Sequence, residues 1–192
     1  REQRDAAKIV LGKERRNVFV TGSAGTGKSY LLKYLVQELK TQKKNPNNNN
    51  DNGELRNVGI AAPTGVAAII VGGSTLHSFF GIGLGTGSLM SLLKRVKKNN
   101  AAMDRIDEID VLIIDEVSMM SSELLETLDA ITREIRRNGY FRDHPFGGIQ
   151  IIAFGDFFQL PPVTKSSRDN LSLENRHLRS FCFESEVWSN LG

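Results

Sequence analysis

Cysteine is nearly absent from this sequence, since Cys182 is the only one among 192 residues. A single cysteine excludes a disulfide within the chain and fits a reducing compartment, so we interpret Cys182 as a small buried side chain. No run approaches the roughly 18 consecutive apolar residues of a membrane span, so we expect no membrane partner. The chain begins at Arg1 without an initiator methionine or an apolar leader, and we therefore expect it to be part of a longer protein.

A large excess of one sign of charge is also absent, because the formal net charge is only +3. This value permits a phosphate-rich partner but does not argue for one. Hydrophobic residues make up 40% and charged residues 24%, which is ordinary for a globular protein. The length suits one domain with a full core and is short for two.

Four short apolar runs organise the chain, and a polar or glycine-rich segment follows each of them. The runs are Asn17–Thr21, Val58–Ala62, Val111–Ile114 and Ile149–Phe154. Short runs without alternation predict strands that are buried on both faces. Helical periodicity after Lys28, and again from Ser121 or Ser122, places helices between the strands. The pattern predicts an α/β fold with a parallel central sheet, in which ligands bind at the carboxyl ends of the strands.

One segment has nothing to bury. Residues 42–53 read QKKNPNNNNDNG, a low-complexity sequence rich in asparagine. We interpret it as a disordered loop that lengthens a helix–strand connection.

The first strand leads into a complete phosphate-binding motif. Its residues are Gly22, Ser23, Ala24, Gly25, Thr26, Gly27, Lys28 and Ser29, which fit G-x-x-x-x-G-K-[ST] at every required position. The glycines let backbone N–H groups point at phosphate oxygens, and the following helix adds its positive amino end. We expect Lys28 to reach the β- and γ-phosphates of ATP and Ser29 to ligate Mg²⁺. The fold is therefore expected to be that of a P-loop NTPase.

Two further strands end in residues that suit the same chemistry. Asp115 and Glu116 follow Val111–Ile114; one carboxylate can hold Mg²⁺ and the next can orient and deprotonate the attacking water. Gln159 lies beyond the last strand, where its amide can hydrogen-bond the γ-phosphate and respond to its loss. Pro161 and Pro162 stiffen the chain that leaves this site.

The order of five motifs resembles the Pif (petite integration frequency) helicases, in the RecD-like branch of superfamily 1. The motifs are GSAGTGKS, AAPTGVAA, STLHSFFGIG, IIDEVSMM and PFGGIQIIAFGDFFQLPPV, and FCFESEVW near the end is also similar. The resemblance covers nearly the whole chain apart from the asparagine-rich segment. It implies a three-layer RecA-like domain spanning residues 1–192, the first of two such domains.

The resemblance also implies residue roles. Gln3 matches a glutamine that reads the adenine edge, and Lys28, Ser29, Asp115, Glu116 and Gln159 match the residues of the ATP and Mg²⁺ site. Pro63, Thr64 and Gly65 match one motif that grips the DNA strand, and His77, Ser78 and Phe79 match a second. From the residues alone, Thr64 and the amides near Gly65 can hold a phosphate. Either Phe79 or Phe80 can stack on a base, with core packing as the alternative for both.

By the same resemblance, the whole protein is implied to move 5′ to 3′ on single-stranded DNA. The implied substrates include forks, RNA–DNA hybrids and G-quadruplexes, in repair, recombination and telomere maintenance. An intracellular location is expected, in the nucleus or mitochondrion if the source is eukaryotic.

Two other classes of function share part of this pattern. A protein-remodelling or RNA-remodelling P-loop ATPase would have the phosphate loop and the acidic pair, but it gives no reason for APTGVAA or TLHSFFGIG. A non-catalytic nucleic-acid-binding module is disfavoured by intact Lys28, Ser29, Asp115 and Glu116. A small-molecule kinase lacks an identifiable substrate pocket.

We predict that these 192 residues alone bind Mg-ATP weakly, hydrolyse it very slowly and unwind nothing. The reason is that an arginine supplied by a second domain contributes roughly 10³–10⁵ in rate to phosphoryl transfer. Hydrolysis and strand-separation assays on the isolated chain check this, and robust unwinding would contradict it.

Overall fold

The computed structural model describes residues 2–44, 53–136, 143–160, 162 and 181–191. Its centre is a parallel sheet of five strands in the order β1-β5-β4-β2-β3. The strands are β1 (Val18–Thr21), β2 (Val58–Ala62), β3 (Ser74–Thr75), β4 (Val111–Ile114) and β5 (Gln150–Gly155). The predicted α/β fold with a parallel central sheet is therefore confirmed.

Eight α-helices lie within the described ranges. They are α1 (Glu2–Val10), α2 (Lys28–Thr41), α3 (Gly65–Val71), α4 (Leu76–Phe79), α5 (Leu89–Lys97), α6 (Asn100–Glu108), α7 (Ser122–Ile135) and α8 (Glu186–Asn190). Side-chain caps fix where several of them begin. The Ser121 hydroxyl accepts the backbone N–H of Leu124 at the start of α7, and Thr64 accepts that of Ala67 at the start of α3.

The helices cover both faces of the sheet and make three layers. Alternate residues of β4 point to opposite faces, so Leu112 and Ile114 pack in one core cluster while Val111 and Ile113 pack in the other. The cluster around Val111 and Ile113 includes residues of α1 and α2, and the larger cluster includes residues of α5, α6 and α7. Burial on both faces explains why β4 and β5 read as continuous apolar runs.

The sheet has one strand more than the sequence predicts. The fifth strand, β3, has only two residues and lies at the edge, paired with the end of β2. Such a short element leaves no apolar periodicity to detect.

The first residues of the asparagine-rich segment pair with the chain just beyond its end. The backbone oxygen of Gln42 accepts the backbone N–H of Arg56 at 2.9 Å. The backbone N–H of Lys44 donates to the backbone oxygen of Glu54 at 2.8 Å. The prediction of disorder is therefore wrong for residues 42–44, because the pairing satisfies their backbone groups. Residues 45–52 lie outside the described part of the chain.

Within the described ranges, no helix is both long enough and apolar enough to cross a bilayer. Cys182 is fully buried, as expected, and its thiol lies 3.5 Å from the backbone oxygen of Val117. Burial raises the pKa of this thiol to about 12.

We predict that Cys182 is inert toward thiol reagents while the protein is folded. At pH 8, a pKa of about 12 leaves roughly one thiol in 10⁴ ionised, and the thiolate is the reactive form. Labelling should be slow in buffer and complete in denaturant, which a timed mass-spectrometric assay measures. Fast labelling under native conditions would show that the segment around Cys182 is not packed as described.

Candidate active site

Three chain segments leave the sheet side by side at the edge formed by the carboxyl ends of the strands. Thr21 at the end of β1 pairs with Gly155 at the end of β5, and Ile114 at the end of β4 pairs with Ala153. The next residues along the chain are Gly22, Asp115 and Asp156. The parallel register thus brings the glycine-rich loop, the acidic pair and the turn before Gln159 to the same place, as the sequence predicts.

The glycine-rich loop wraps from β1 into the amino end of α2. Gly25 and Gly27 have φ values of +80° and +89°, a left-handed conformation that favours glycine. Gly27 occupies the N-cap position and no side chain caps the helix. The first N–H groups of α2 therefore remain available for an anion.

Gln3 of α1 contacts this loop directly. Its side-chain nitrogen donates to the backbone oxygen of Thr26 at 2.8 Å. A Cβ at Gly27 would lie 2.5 Å from that nitrogen, so a larger residue there would displace the Gln3 side chain. The contact places Gln3 beside the phosphate-binding loop.

Lys28 is folded back over the loop. Its ammonium donates to the backbone oxygens of Gly22 and of Ser23, the latter at 3.1 Å. Its charge also acts on the acidic pair, because it opposes the rise that burial causes in the pKa of Asp115 and of Glu116. Ser29 follows on the exposed first turn of α2.

The acidic pair consists of two carboxyl groups in different surroundings. Asp115 is only 8% exposed, and burial raises its pKa against the opposing effects of the Glu116 backbone N–H and Lys28. Burial also raises the pKa of Glu116. Repulsion from Asp115 raises it further, and repulsion from Asp156 does so more weakly. Glu116 has φ of +52° and ψ of +41°, a left-handed conformation that is uncommon for a residue other than glycine.

The turn after β5 holds Gln159 by means of Asp156. The Gln159 side-chain nitrogen donates to Asp156 Oδ2 at 2.9 Å, and the Phe158 backbone N–H donates to Asp156 Oδ1 at 3.1 Å. Sequence reasoning named Gln159 but gave no role to Asp156. An aspartate directly after a buried strand was the available signal, because aspartate commonly bonds the backbone two residues on. Pro161 lies outside the described residues.

An aromatic cluster anchors the same turn. Phe157 packs against Phe19 of β1, Phe181, Phe183 and Trp188, with ring centroids 4.8–5.9 Å apart. Phe19 and Trp188 also meet at 5.3 Å. Such pairs stabilise by roughly 0.5–1.5 kcal/mol beyond their burial. The segment 181–191 is thereby attached to the turn that carries Gln159.

The first segment matched to DNA-gripping motifs follows β2. Thr64 caps α3 by accepting the backbone N–H of Ala67 at 3.2 Å, and Pro63 precedes it. Gly65 is exposed, and a Cβ there would meet nothing within 4 Å. Backbone groups near Gly65 are therefore accessible to a partner.

The second segment forms α4, where the structure shows core packing, the alternative named for its two phenylalanines. Phe79 is 6% exposed and Phe80 is 1% exposed, so both rings belong to the core. The Arg105 guanidinium covers the Phe79 ring at 5.0 Å from its centroid and donates to the backbone oxygen of Phe79 at 2.8 Å. Neither ring is exposed for base stacking in this structure. Ser78 is exposed, whereas His77 packs against Gly85.

The geometry and its motifs agree with comparisons with known proteins. A family model described as PIF1-like helicase matches residues 1–191. The chain belongs to this family. The ATP-dependent DNA helicase RRM3 of Saccharomyces cerevisiae is 41% identical over 187 residues, covering 97% of this chain and 23% of the relative. The ATP-dependent DNA helicase PIF1 of Candida albicans is 42% identical over 198 residues, covering 97% of this chain and 20% of the relative.

Solved structures of PIF1-like helicases share the fold. The Pif1 helicase from Candida albicans has a TM-score of 0.80 at 42% identity, over 99% of this chain and 37% of that chain. A Bacteroides Pif1 helicase in complex with ADP-AlF3 and ssDNA has a TM-score of 0.71 at 34% identity, over 98% of this chain and 39% of that chain. The expected three-layer RecA-like fold is confirmed. The chain spans less than half the length of each of these proteins.

We predict that Glu116→Gly stabilises the fold. A non-glycine residue in the left-handed region costs roughly 1–2 kcal/mol, and glycine removes that cost. The free energy of unfolding should therefore rise by about 1 kcal/mol, as denaturant titration measures. Glu116→Gln is the matched control, because it removes the charge but retains the strained backbone. Equal stability of the glycine and glutamine variants would contradict the assignment of strain to this residue.

Proposed function

We propose that this chain is the first RecA-like motor domain of an ATP-dependent DNA helicase that moves 5′ to 3′ on single-stranded DNA. The observation that carries the proposal is the meeting of the phosphate loop, the acidic pair and the Gln159 turn at one sheet edge. The segments after β2 and β3 lie along the same sheet, since β2 pairs with β4. A nucleotide site and a strand-binding track thus share one scaffold. Family membership supports this assignment.

The nucleotide site is proposed to work as follows. The loop Gly22–Ser29 binds the phosphates of ATP through backbone N–H groups, and Gln3 contacts the adenine edge. Lys28 exchanges its two backbone acceptors for the β- and γ-phosphates. Glu116 takes the proton of the attacking water, and Gln159 hydrogen-bonds the γ-phosphate.

Mg²⁺ is proposed to bind at Ser29 and Asp115. Asp115 is buried at 8% exposure, and its neighbours include one cation, Lys28, and a second carboxylate, so a further positive charge fits there. The described residues contain no group of three or more histidine, cysteine or acidic side chains placed to hold a metal ion. Mg²⁺ needs only one or two protein ligands when phosphates and water complete its coordination. When bound, the ion neutralises charge that develops on the phosphates.

The DNA strand is proposed to cross the segments after β2 and at α4. Pro63, Thr64 and Gly65 offer a hydroxyl and accessible backbone groups, and His77 and Ser78 offer polar groups one strand further along the sheet. Such contacts hold phosphates without reading sequence. Phe79 supports α4 from within the core.

The remaining partners are proposed from the family. A Bacteroides Pif1 helicase was solved in complex with ADP-AlF3 and ssDNA, and two coordinating Pif1 helicases are described at forked dsDNA. We extend single-stranded and forked DNA to this chain, together with G-quadruplex DNA and a second RecA-like domain of the same protein. The proposed setting is genome maintenance, in the nucleus or the mitochondrion if the source is eukaryotic.

Glu116→Gln in the full-length protein tests the proposal. The amide has nearly the shape of the carboxylate but cannot accept a proton, so ATP should still bind while kcat falls by about 10²–10⁴. Fluorescent-nucleotide binding and hydrolysis with and without single-stranded DNA are the measurements. Wild-type turnover that single-stranded DNA does not stimulate would sink the helicase assignment in favour of another remodelling ATPase. Unchanged turnover in Glu116→Gln would remove Glu116 from its role.

A further inference from the structure

Asp156 accepts three hydrogen bonds within the turn after β5. It is 7% exposed and follows β5 directly. One carboxylate oxygen accepts the backbone N–H of Phe158 and the other accepts the side-chain nitrogen of Gln159. Its backbone oxygen accepts the backbone N–H of Gln159 at 3.0 Å. Gln159 is therefore tied to one residue through both its main chain and its side chain.

The chemistry of the carboxylate decides how the Gln159 amide is turned. The two ends of a glutamine amide have nearly the same shape, so hydrogen-bond partners must distinguish them. An ionised carboxylate only accepts, so it selects the NH₂ end of Gln159. The carbonyl oxygen and the second amide hydrogen are then left for the substrate.

The same residue lies next to the acidic pair. A Cβ at Gly155 would be 3.0 Å from Val117 Cγ1 and 3.2 Å from the Ser118 nitrogen, so the end of β5 packs closely on the turn after Glu116. The negative charge of Asp156 also reaches Glu116, where it adds to the raised pKa. Asp156 thus stands between the two residues assigned to the attacking water and the γ-phosphate.

We propose that Asp156 is a positioning residue for ATP hydrolysis, which fixes the Gln159 amide in the one orientation that serves the reaction. This inference rests on the proposed function, because it assigns Gln159 to the γ-phosphate. With the NH₂ end held, the second N–H can donate to a phosphate oxygen and the carbonyl can accept from the attacking water. An inverted amide would present the wrong group to each.

Asp156→Asn separates this role from a structural one. The asparagine carbonyl still accepts the Phe158 N–H, so the turn keeps its cap. Its amide nitrogen, however, faces Gln159 and selects the opposite end of that amide. In the full-length protein we expect kcat for DNA-stimulated ATP hydrolysis to fall at least about tenfold, since small misplacements at a reacting centre carry such penalties. The KM for ATP should change by less than about twofold, because a loss confined to kcat marks an interaction of the transition state.

Asp156→Ser is the second variant, in case the asparagine protein does not fold. A serine hydroxyl can still cap the Phe158 N–H but is too short to hold the Gln159 amide, so it should lower kcat in the same way. Asp129→Asn is the matched control. Asp129 is 6% exposed and likewise accepts one backbone N–H, from Phe146 at 2.6 Å, and one side-chain N–H, from Arg133 at 2.7 Å. It lies on α7 away from the nucleotide edge, so its loss should affect the unfolding midpoint and leave kcat unchanged.

A double-mutant cycle with Gln159→Ala decides the matter. If Asp156 acts through Gln159, then Asp156→Asn should change kcat by less than about twofold once Gln159 is alanine. An equal loss in both backgrounds would overturn the inference and leave Asp156 as an independent contributor. So would an unchanged kcat in Asp156→Asn. Wild-type protein without DNA-stimulated hydrolysis would instead overturn the proposed function, which the wild-type measurement alone reveals.

Discussion

The parallel pairing of β1, β5 and β4 is the constraint on which the other features of the site depend. β5 lies in the middle, so both neighbours are held in register with it by backbone hydrogen bonds. Because parallel strands share one direction, Gly22, Asp115 and Asp156 must emerge at the same edge. None of these residues has to be brought there by a flexible side chain. A shift of one residue in this pairing would turn the buried strands over and separate the segments.

Like charges gather at that edge, and the fold holds them there against their repulsion. Asp115 and Glu116 are adjacent in sequence, and Asp156 approaches from the neighbouring strand. Lys28 partly offsets this charge, and Glu116 holds its place with a left-handed backbone that few non-glycine residues adopt. An arrangement that would be unfavourable in a purely structural setting is typical of a site prepared for a cation and a phosphate.

The sequence predicts most of the scaffold, because long apolar runs and a complete phosphate motif leave few alternatives. All four predicted strands are present within one residue of their expected bounds, and α2 and α7 begin where Lys28 and Ser121 indicate. The two-residue strand β3 was missed, because it is too short to carry a pattern. The burial of Phe79 was left open, because a phenylalanine beside a polar motif suits core and surface equally. Its outcome depends on Arg105, which is remote in sequence and reaches the ring only in the folded chain.

The aromatic cluster has a consequence for how signals cross the domain. The Phe157 ring packs against Phe19 of β1. It also packs against three aromatic side chains near the end of the chain, Phe181, Phe183 and Trp188. A ligand that moved the Gln159 turn would therefore have to repack these rings against residues 181–191. Thermodynamic linkage would make such a relation reciprocal, so that repacking residues 181–191 would change nucleotide affinity by the same free energy. The aromatic cluster is thus the physical link between the Gln159 turn and residues 181–191.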